Sequence, residues 1–205
     1  MPKFYHGTRS SEPVTITAKA YTENLQEIDP EGFYEAIGKS GCPEEAPFGG
    51  EFEVSRIGES SFSKSISGSV LALAHACVGD CIIDIYSTDA EPDIDISDCD
   101  YDFGELEEVR YRRTVSVKKE MTVRLTKAFN KQVDDCYGEG IDTCSLSCLK
   151  DHAQKQIRAG KRTITPMRQA DLDVCYAECI GMSVKEVQGH RRRAEEHRRE
   201  AEARR

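Results

Sequence analysis

Two carboxylates separated by one residue, Glu105 and Glu107, are well placed in this sequence to act on the same molecule. In an extended segment, residues i and i+2 point to the same side, so both side chains can face one ligand. One carboxylate can stabilise a positive charge developing on a sugar, and the other can orient or deprotonate an attacking group. Glu108 follows directly and points the other way in a regular strand, unless a kink at the loop–strand junction exchanges it with Glu107.

Hydroxyl side chains flank Lys64 in the segment SFSKSIS, which precedes a stretch of small and apolar residues. The hydroxyl of Ser63 or Ser65 can hold a catalytic carboxylate by a hydrogen bond and can also contact a bound sugar. Taken alone, S-x-S and E-x-E are common in solvated segments and predict little. Their order along the chain, with a helix and a strand between them, favours a joint site.

The run His6-Gly7-Thr8-Arg9 supplies a third set of polar groups, at the end of the predicted first strand. A histidine there can hydrogen-bond a sugar hydroxyl, and a glycine lets a ligand approach the backbone closely. An isolated HGT is more often a surface histidine before a turn. Its place upstream of the other two motifs supports the functional interpretation.

Apolar spacing and turn residues predict the elements that must position these groups. A helix is expected over residues 68–77, with Ser67 as its N-cap. Short strands are expected at residues 3–6, 81–86, 109–117 and 121–125. Several strands with few helices between them indicate an α+β fold rather than repeated strand–helix–strand units.

Beyond about residue 128 the pattern becomes helical, so we predict one domain over residues 1–127 and a helical region over 128–205. Asp142 or Thr143 is expected to cap a first helix that runs to about Arg158 and ends at Gly160. The second begins at Thr165-Pro166 and ends at Gly181. The third starts with a capping box formed by Ser183 and Glu186, and it has almost no apolar face.

These motifs resemble those of the ADP-ribosyltransferase superfamily, in the branch of the cholera and heat-labile enterotoxin A subunits. The segment SFSKSISGSVLALAHACVGDCIIDIYSTDAEPDIDISD is similar to that family's S-T-S strand with the following helix and strand. GELEEV resembles its E-x-E turn, and FYHGTRSSEP resembles its opening strand and NAD-binding turn. The resemblance covers about residues 3–120 and is most specific over residues 61–109.

The resemblance implies a split antiparallel β-sheet enclosing an NAD cleft, in a secreted toxin or effector. It also implies transfer of ADP-ribose from NAD to a side chain of an unknown host protein, often arginine. Residues 40–60 would then form a lid or acceptor-recognition loop, and the C-terminal helices could contact a carrier or partner subunit. The NAD contacts it implies are His6, Gly7, Thr8, Arg9, Ser63 and Ser65, and the catalytic residues are Glu107, Glu105 and Glu108.

The sequence departs from the family at two points. His6 stands where the enterotoxin branch normally has arginine, and HGT is similar to the diphtheria-toxin and poly-ADP-ribose-polymerase branch; Arg9 can take over the phosphate contact. The extra glutamate in ELEEV leaves the catalytic carboxylate open between Glu107 and Glu108. We expect Glu107, because Glu105 then keeps the two-residue partner that arginine-directed transferases use.

Two alternative functions remain open. A catalytically degenerate protein of the same fold would act by protein binding, through its helical hairpin. An enzyme of this type could also hydrolyse NAD without an acceptor.

The sequence has nine cysteines, more than is usual for a reduced cytosolic protein of 205 residues. Three pairs have the same spacing of three intervening residues, namely Cys77/Cys81, Cys144/Cys148 and Cys175/Cys179. On a helix this spacing puts both sulfurs on one face, so two helices could be joined side by side by two disulfides. A zinc site is the alternative, and disulfides are favoured because the segments look helical.

Composition limits the class of partner. A net charge of −9 argues against nucleic acid as the main ligand, and residues 89–108 alone hold ten acidic side chains. No apolar run approaches the roughly 20 residues that cross a bilayer. The first residues lack the apolar core of a secretory signal, while the cysteines favour an oxidising compartment. We therefore expect a secreted protein in its mature form, with no metal site.

Overall fold

A computed structural model describes residues 2–8, 15–16, 60–75, 77, 79–95, 106–111, 114–137 and 142–203. These residues form an α+β fold, which confirms the predicted class. The strands are β1 (Phe4–Thr8), β2 (Thr15–Ile16), β3 (Ser60–Ser63), β4 (Cys81–Thr88), β5 (Ile94–Asp95), β6 (Glu108–Tyr111), β7 (Val115–Ser116), β8 (Lys118–Leu125) and β9 (Thr163–Ile164). The helices are α1 (Ile66–His75), α2 (Lys127–Asp134), α3 (Thr143–Arg158), α4 (Gln169–Ile180) and α5 (Val184–Ala203).

Seven of these strands form one sheet in the order β5-β6-β3-β1-β4-β8-β9, and β2 pairs separately with β7. Every neighbouring pair in the large sheet is antiparallel except β8 and β9, which run parallel. The sheet is therefore mixed, rather than antiparallel throughout as expected. The exception arises because β9 follows α3, and a helical crossover returns the chain in the same direction.

The sheet opens between β1 and β3. These strands share a single registered pair, Tyr5 with Ser63. By contrast, β1 pairs with β4 along its whole length, from Phe4 opposite Thr88 to Thr8 opposite Asp84. The seam between β1 and β3 is consequently paired less extensively than the seam between β1 and β4.

A hydrophobic core fills one face of the sheet and is covered by α1, α2 and α3. Its fully buried members come from strands and helices alike, among them Leu71, Ile83, Val123, Phe129 and Leu149. Residues on both sides of the predicted boundary at 127/128 thus contribute to one core, so the helical region packs directly on the sheet.

A smaller cluster lies on the opposite face of the sheet. It contains Phe4, Phe62, Val109, Tyr111 and Val115. Phe4 belongs to it whereas its neighbour Tyr5 packs on the main core, as expected for successive residues of a strand. The sheet around the β1–β3 seam is therefore supported from both sides.

The paired cysteines of α3 and α4 form two disulfides, Cys144–Cys179 and Cys148–Cys175. This confirms the prediction that two helices are joined side by side. The two bonds cross-link residues one helical turn apart on each helix, so they fix the antiparallel alignment of the hairpin.

The remaining described cysteines behave differently. Cys77 and Cys81 are bonded to each other across the turn between α1 and β4, so this pair does not join two helices. Cys136 is buried with its thiol unoxidised, and its Sγ donates to the carbonyl oxygen of Gln132 at 3.2 Å. Cys42 and Cys99 lie outside the described residues.

Local capping signals place most of the C-terminal helix ends correctly. Asp142 caps α3 by accepting a hydrogen bond from the backbone N–H of Ser145 at 3.0 Å. Gly181 ends α4 with φ of 70°, a conformation that favours glycine. The capping box is confirmed, since Glu186 accepts from the backbone N–H of Ser183 at 2.9 Å and donates its own N–H back to Ser183 Oγ at 3.3 Å.

Two predicted helix starts are wrong. α4 begins at Gln169 rather than at Thr165, because Thr165 instead donates its backbone N–H and hydroxyl to Gln156 Oε1 at 3.3 and 3.0 Å. α1 begins at Ile66 rather than at residue 68, and the hydroxyl that accepts from the backbone N–H of Gly68 belongs to Ser65, at 3.1 Å. In the described part of the chain, no helix combines the length and apolarity needed to cross a membrane.

Candidate functional site

The opening between β1 and β3 is a cleft of about 500 Å³. This volume lies in the range of small-molecule sites, roughly 300–1,000 Å³. One part of the wall is polar and the other apolar, as in binding sites whose polar groups orient a ligand and whose apolar groups bury it. The lining residues are Tyr5, His6, Gly7, Thr8, Ser61, Phe62, Ser63, Gly68, Ser69, Ala72, Leu73, Leu106 and Glu108.

Glu108 is the carboxylate of this cleft. It stands directly opposite Ser63 in the pairing of β3 with β6, and the residue is 5% exposed. Its Oε1 accepts a hydrogen bond from Nε of the fully buried Arg110 at 2.9 Å. The negative charge of Glu108 is therefore compensated within the sheet, and among the described residues none donates to its Oε2.

Glu107 does not line the cleft. Its φ of 53° is left-handed, the only such value among the described residues other than glycines. Its carbonyl oxygen accepts from the backbone N–H of Lys64 at 3.0 Å, while its buried Oε2 receives no hydrogen bond in the described part of the chain. The left-handed residue forms a kink at the junction of loop and strand, and Glu108 rather than Glu107 lines the cleft.

Ser63 connects the motif strand to the turn that carries the glutamates. Its Oγ donates to the carbonyl oxygen of Leu106 at 2.5 Å and accepts from the backbone N–H of Ser65 at 3.1 Å. A Cβ on Gly68 would overlap both Ser63 Oγ and Leu106 O. The start of α1 thus lies directly against the turn, and only glycine fits at that position.

The second serine of the motif has another role. Ser65 Oγ accepts from the backbone N–H of Gly68 and lies 3.3 Å from Ser67 Oγ, at the N-terminus of α1. Ser65 is absent from the described lining of the cleft. Its contribution to the site is structural, since it caps the helix that forms the floor.

His6 is fixed at the mouth of the cleft. Its Nδ1 lies 2.7 Å from the carbonyl oxygen of Ser61, and because a carbonyl only accepts, Nδ1 carries the proton. In the neutral ring Nε2 is then an acceptor. The imidazole also packs at 5.1 Å from the ring of Phe62.

Gly7 and Thr8 line the cleft beside His6. A Cβ on Gly7 would strike the side chain of Leu73, so this glycine permits close packing of β1 on α1. Arg9 and Glu105 lie outside the described residues, as do residues 40–59 of the expected lid. The structure thus brings together His6, Gly7, Thr8, Ser63 and Glu108 of the predicted site.

A second buried carboxylate lies close to the cleft but is fully engaged. Asp84 is paired with Thr8 across β1 and β4 and is 8% exposed. Hydrogen bonds from Lys119 Nζ at 2.8 Å and from Thr122 Oγ1 at 2.6 Å hold the pKa of Asp84 below its usual value, against the opposing effect of burial. Asp84 is therefore suited to anchoring the strands rather than to acid–base chemistry.

Three contributors to the site were not anticipated from the sequence: Gly68, Leu106 and Arg110. Glycine in the first turn of a helix is unfavourable by roughly 1 kcal/mol relative to alanine, and that cost was a signal that the backbone approaches another group there. The spacing of Arg110 from Glu108 places both on one face of β6, which was a second usable signal.

Comparisons with known proteins give no assignment. No family model, curated protein or solved structure matches this chain. The chemistry of the cleft must therefore be inferred from its own residues.

Proposed function

We propose that this chain is a mono-ADP-ribosyltransferase that binds NAD in the cleft between β1 and β3. The observation that carries the proposal is the convergence of His6, Ser63 and Glu108, from three separate segments, on one cleft. These are the side chains that the three motifs supply, in their order along the chain. Motifs that occur by chance on a surface are not expected to line one cleft together.

Glu108 supplies the central chemistry in this proposal. Cleaving the bond between nicotinamide and ribose leaves positive charge on the sugar, and the bonding electron pair departs with nicotinamide. Glu108 Oε2, which accepts no hydrogen bond from a described residue, can hydrogen-bond a ribose hydroxyl and stabilise that charge. The burial of Glu108 strengthens the stabilisation because little water screens it.

The other polar residues orient the ligand. His6 contributes its imidazole to the contact with the ribose, and Ser63, opposite Glu108, fixes the turn from which the carboxylate extends. The apolar wall of Tyr5, Phe62 and Leu73 can pack against a planar ring. The acceptor, a nucleophilic side chain of a host protein, would bond to the ribose carbon and lose its proton to a base.

The cysteines support a secreted toxin or effector. Three disulfides are typical of proteins that mature in an oxidising compartment. The hairpin of α3 and α4 with the attached α5 is the part of the fold farthest along the chain from the cleft residues, and we assign to it any contact with a carrier subunit.

The test is nicotinamide release from NAD, measured by chromatography on wild-type protein and two glutamate variants. Glu108→Gln should lower kcat at least about 10²-fold, because a neutral amide stabilises the ribosyl cation poorly. Glu107→Gln is the matched control and should retain most of the activity. A wild-type protein with no release, or a loss confined to Glu107→Gln, refutes the assignment.

Calorimetry separates the enzyme from a degenerate binding protein of the same fold. Titration of Glu108→Gln with NAD is expected to give a saturable binding isotherm, because the substitution preserves the cleft. Modified proteins in a lysate incubated with labelled NAD would then distinguish a transferase from an NAD hydrolase.

A further inference from the structure

We propose that Arg110 is a positioning residue for the reaction: it holds Glu108 by one carboxylate oxygen so that the other faces the ligand. This inference rests on the proposed function of the cleft. It assigns a role to a cation that belongs to none of the motifs from which the site was predicted.

The first observation is the burial of Arg110. The side chain has an exposed fraction of 0%, and arginine is almost never fully buried unless it is paired. Its Nε donates to Glu108 Oε1 at 2.9 Å, and the acceptor is itself 5% exposed. A guanidinium in this environment interacts with the carboxylate far more strongly than a surface pair does.

The second observation is that the backbone of Arg110 is fixed on both sides. It is registered opposite Ser61 of β3 and opposite Ile94 of β5. Its carbonyl oxygen also accepts from the backbone N–H of Asp93 at 2.9 Å. The guanidinium therefore projects from an interior strand that cannot shift without breaking two ladders.

Together these contacts restrict Glu108. Glu108 and Arg110 are residues i and i+2 of β6, so both side chains leave the same face of the strand. With Oε1 bound to Arg110, rotation of the carboxylate away from the cleft would break a buried, charge-assisted hydrogen bond. Preorganisation of this kind spares the reaction the cost of orienting the carboxylate when charge develops.

The experiment is a double-mutant cycle on kcat and KM for nicotinamide release. Arg110→Gln should lower kcat by about 10- to 100-fold, as is typical when a residue that orients a reactive group is removed, with little change in KM. Combined with Glu108→Gln, the Arg110 substitution should have no further effect on kcat, because it acts through the carboxylate. Equal losses in both backgrounds, or an unchanged kcat for Arg110→Gln, overturn the positioning role.

Arg110→Lys is the second variant, for the case in which Arg110→Gln does not fold. It keeps the positive charge but lacks the planar fork, so it should recover part of the lost kcat. If Arg110→Gln does not fold, a kcat of Arg110→Lys equal to that of wild type still overturns the proposal, and a severalfold lower kcat at unchanged KM supports it. If the wild type releases no nicotinamide, the proposed function itself is wrong. If the wild type is active and Arg110→Gln has the same kcat, only the positioning role is wrong.

Discussion

Replacing Gly68 by alanine tests the close contact between α1 and the turn that carries the glutamates. Two effects oppose each other at this position. Alanine is favoured over glycine within a helix by about 0.8–1 kcal/mol, which would stabilise the fold. The added Cβ would overlap Ser63 Oγ and the backbone carbonyl of Leu106, and overpacking of this kind costs typically about 1–3 kcal/mol.

The steric clash should outweigh the helix preference of alanine, because one of the two obstructing atoms is a backbone carbonyl oxygen that cannot rotate away. Separation of the turn from α1 would also weaken the hydrogen bond from Ser63 to Leu106, worth about 1 kcal/mol. We therefore expect Gly68→Ala to reduce the free energy of unfolding by about 1–3 kcal/mol in total. For a chain of 205 residues each kcal/mol corresponds to about 2–4 °C in Tm.

Thermal and denaturant unfolding followed by circular dichroism would measure the change, with Gly189→Ala as the matched control. Gly189 lies in α5, and a Cβ there would meet only Arg193 Nη1, at 3.6 Å. That substitution should stabilise by up to about 1 kcal/mol. If Gly68→Ala stabilises the protein as Gly189→Ala does, α1 does not press on the turn and the described floor of the cleft is incorrect.

Three further predictions concern single side chains. Glu107→Gly should be about 1 kcal/mol more stable than Glu107→Ala in urea unfolding, because alanine keeps the left-handed strain at φ of 53° that glycine lacks; equal stability would argue against that conformation. Because the pKa of Asp84 is lowered in the folded protein, its contribution to stability is present above about pH 4 and is lost as the pH falls through the lowered pKa. Asp84→Asn should therefore flatten the acid side of the plot of unfolding free energy against pH. An unaltered plot would contradict the pairing of Asp84 with Lys119. Burial raises the pKa of Cys136 to about 12, so iodoacetamide at pH 8 should modify this thiol far more slowly in native than in unfolded protein, as read by mass spectrometry; rapid native alkylation would refute its burial.

Much of the fold could be predicted because its signals are local. The side chain of Asp142, the glycine at 181 and the Ser183–Glu186 box each specify a helix end through groups within three residues. The second half of β8 alternates, since the buried Val123 and Leu125 are interleaved with exposed residues, and a short window of sequence reveals such burial on one face. The apolar run of β4 instead reflects burial along almost the whole strand.

The structure differs from the sequence-based predictions where a contact with a residue distant in the sequence determines the local conformation. α4 starts late because Gln156, on another helix, binds Thr165. The parallel pairing of β9 with β8 depends on how α3 packs, and no local pattern encodes it. Such tertiary contacts override the local helix signal at Thr165-Pro166.

The identity of the cleft carboxylate could be narrowed to two glutamates but not decided from the sequence. A regular strand carries Glu105 and Glu107 on one side, and a single left-handed residue reverses that assignment. The left-handed conformation is held by the hydrogen bond from Lys64 and by the fit of Gly68 against Leu106, both separated from the turn by about 40 residues in sequence. A non-glycine residue gives no sequence signal for such a conformation.

The most direct test of the central claim is a titration of isotopically labelled protein with NAD, followed by the backbone amide signals. If the cleft binds the dinucleotide, the signals of Gly7 and Ser63 should shift saturably, and those of Lys131 on α2 should not. The titration is best made on Glu108→Gln, which should bind NAD without consuming it. No saturable shift, or shifts confined to the groove around Ile180 and His190 between α4 and α5, would contradict the account.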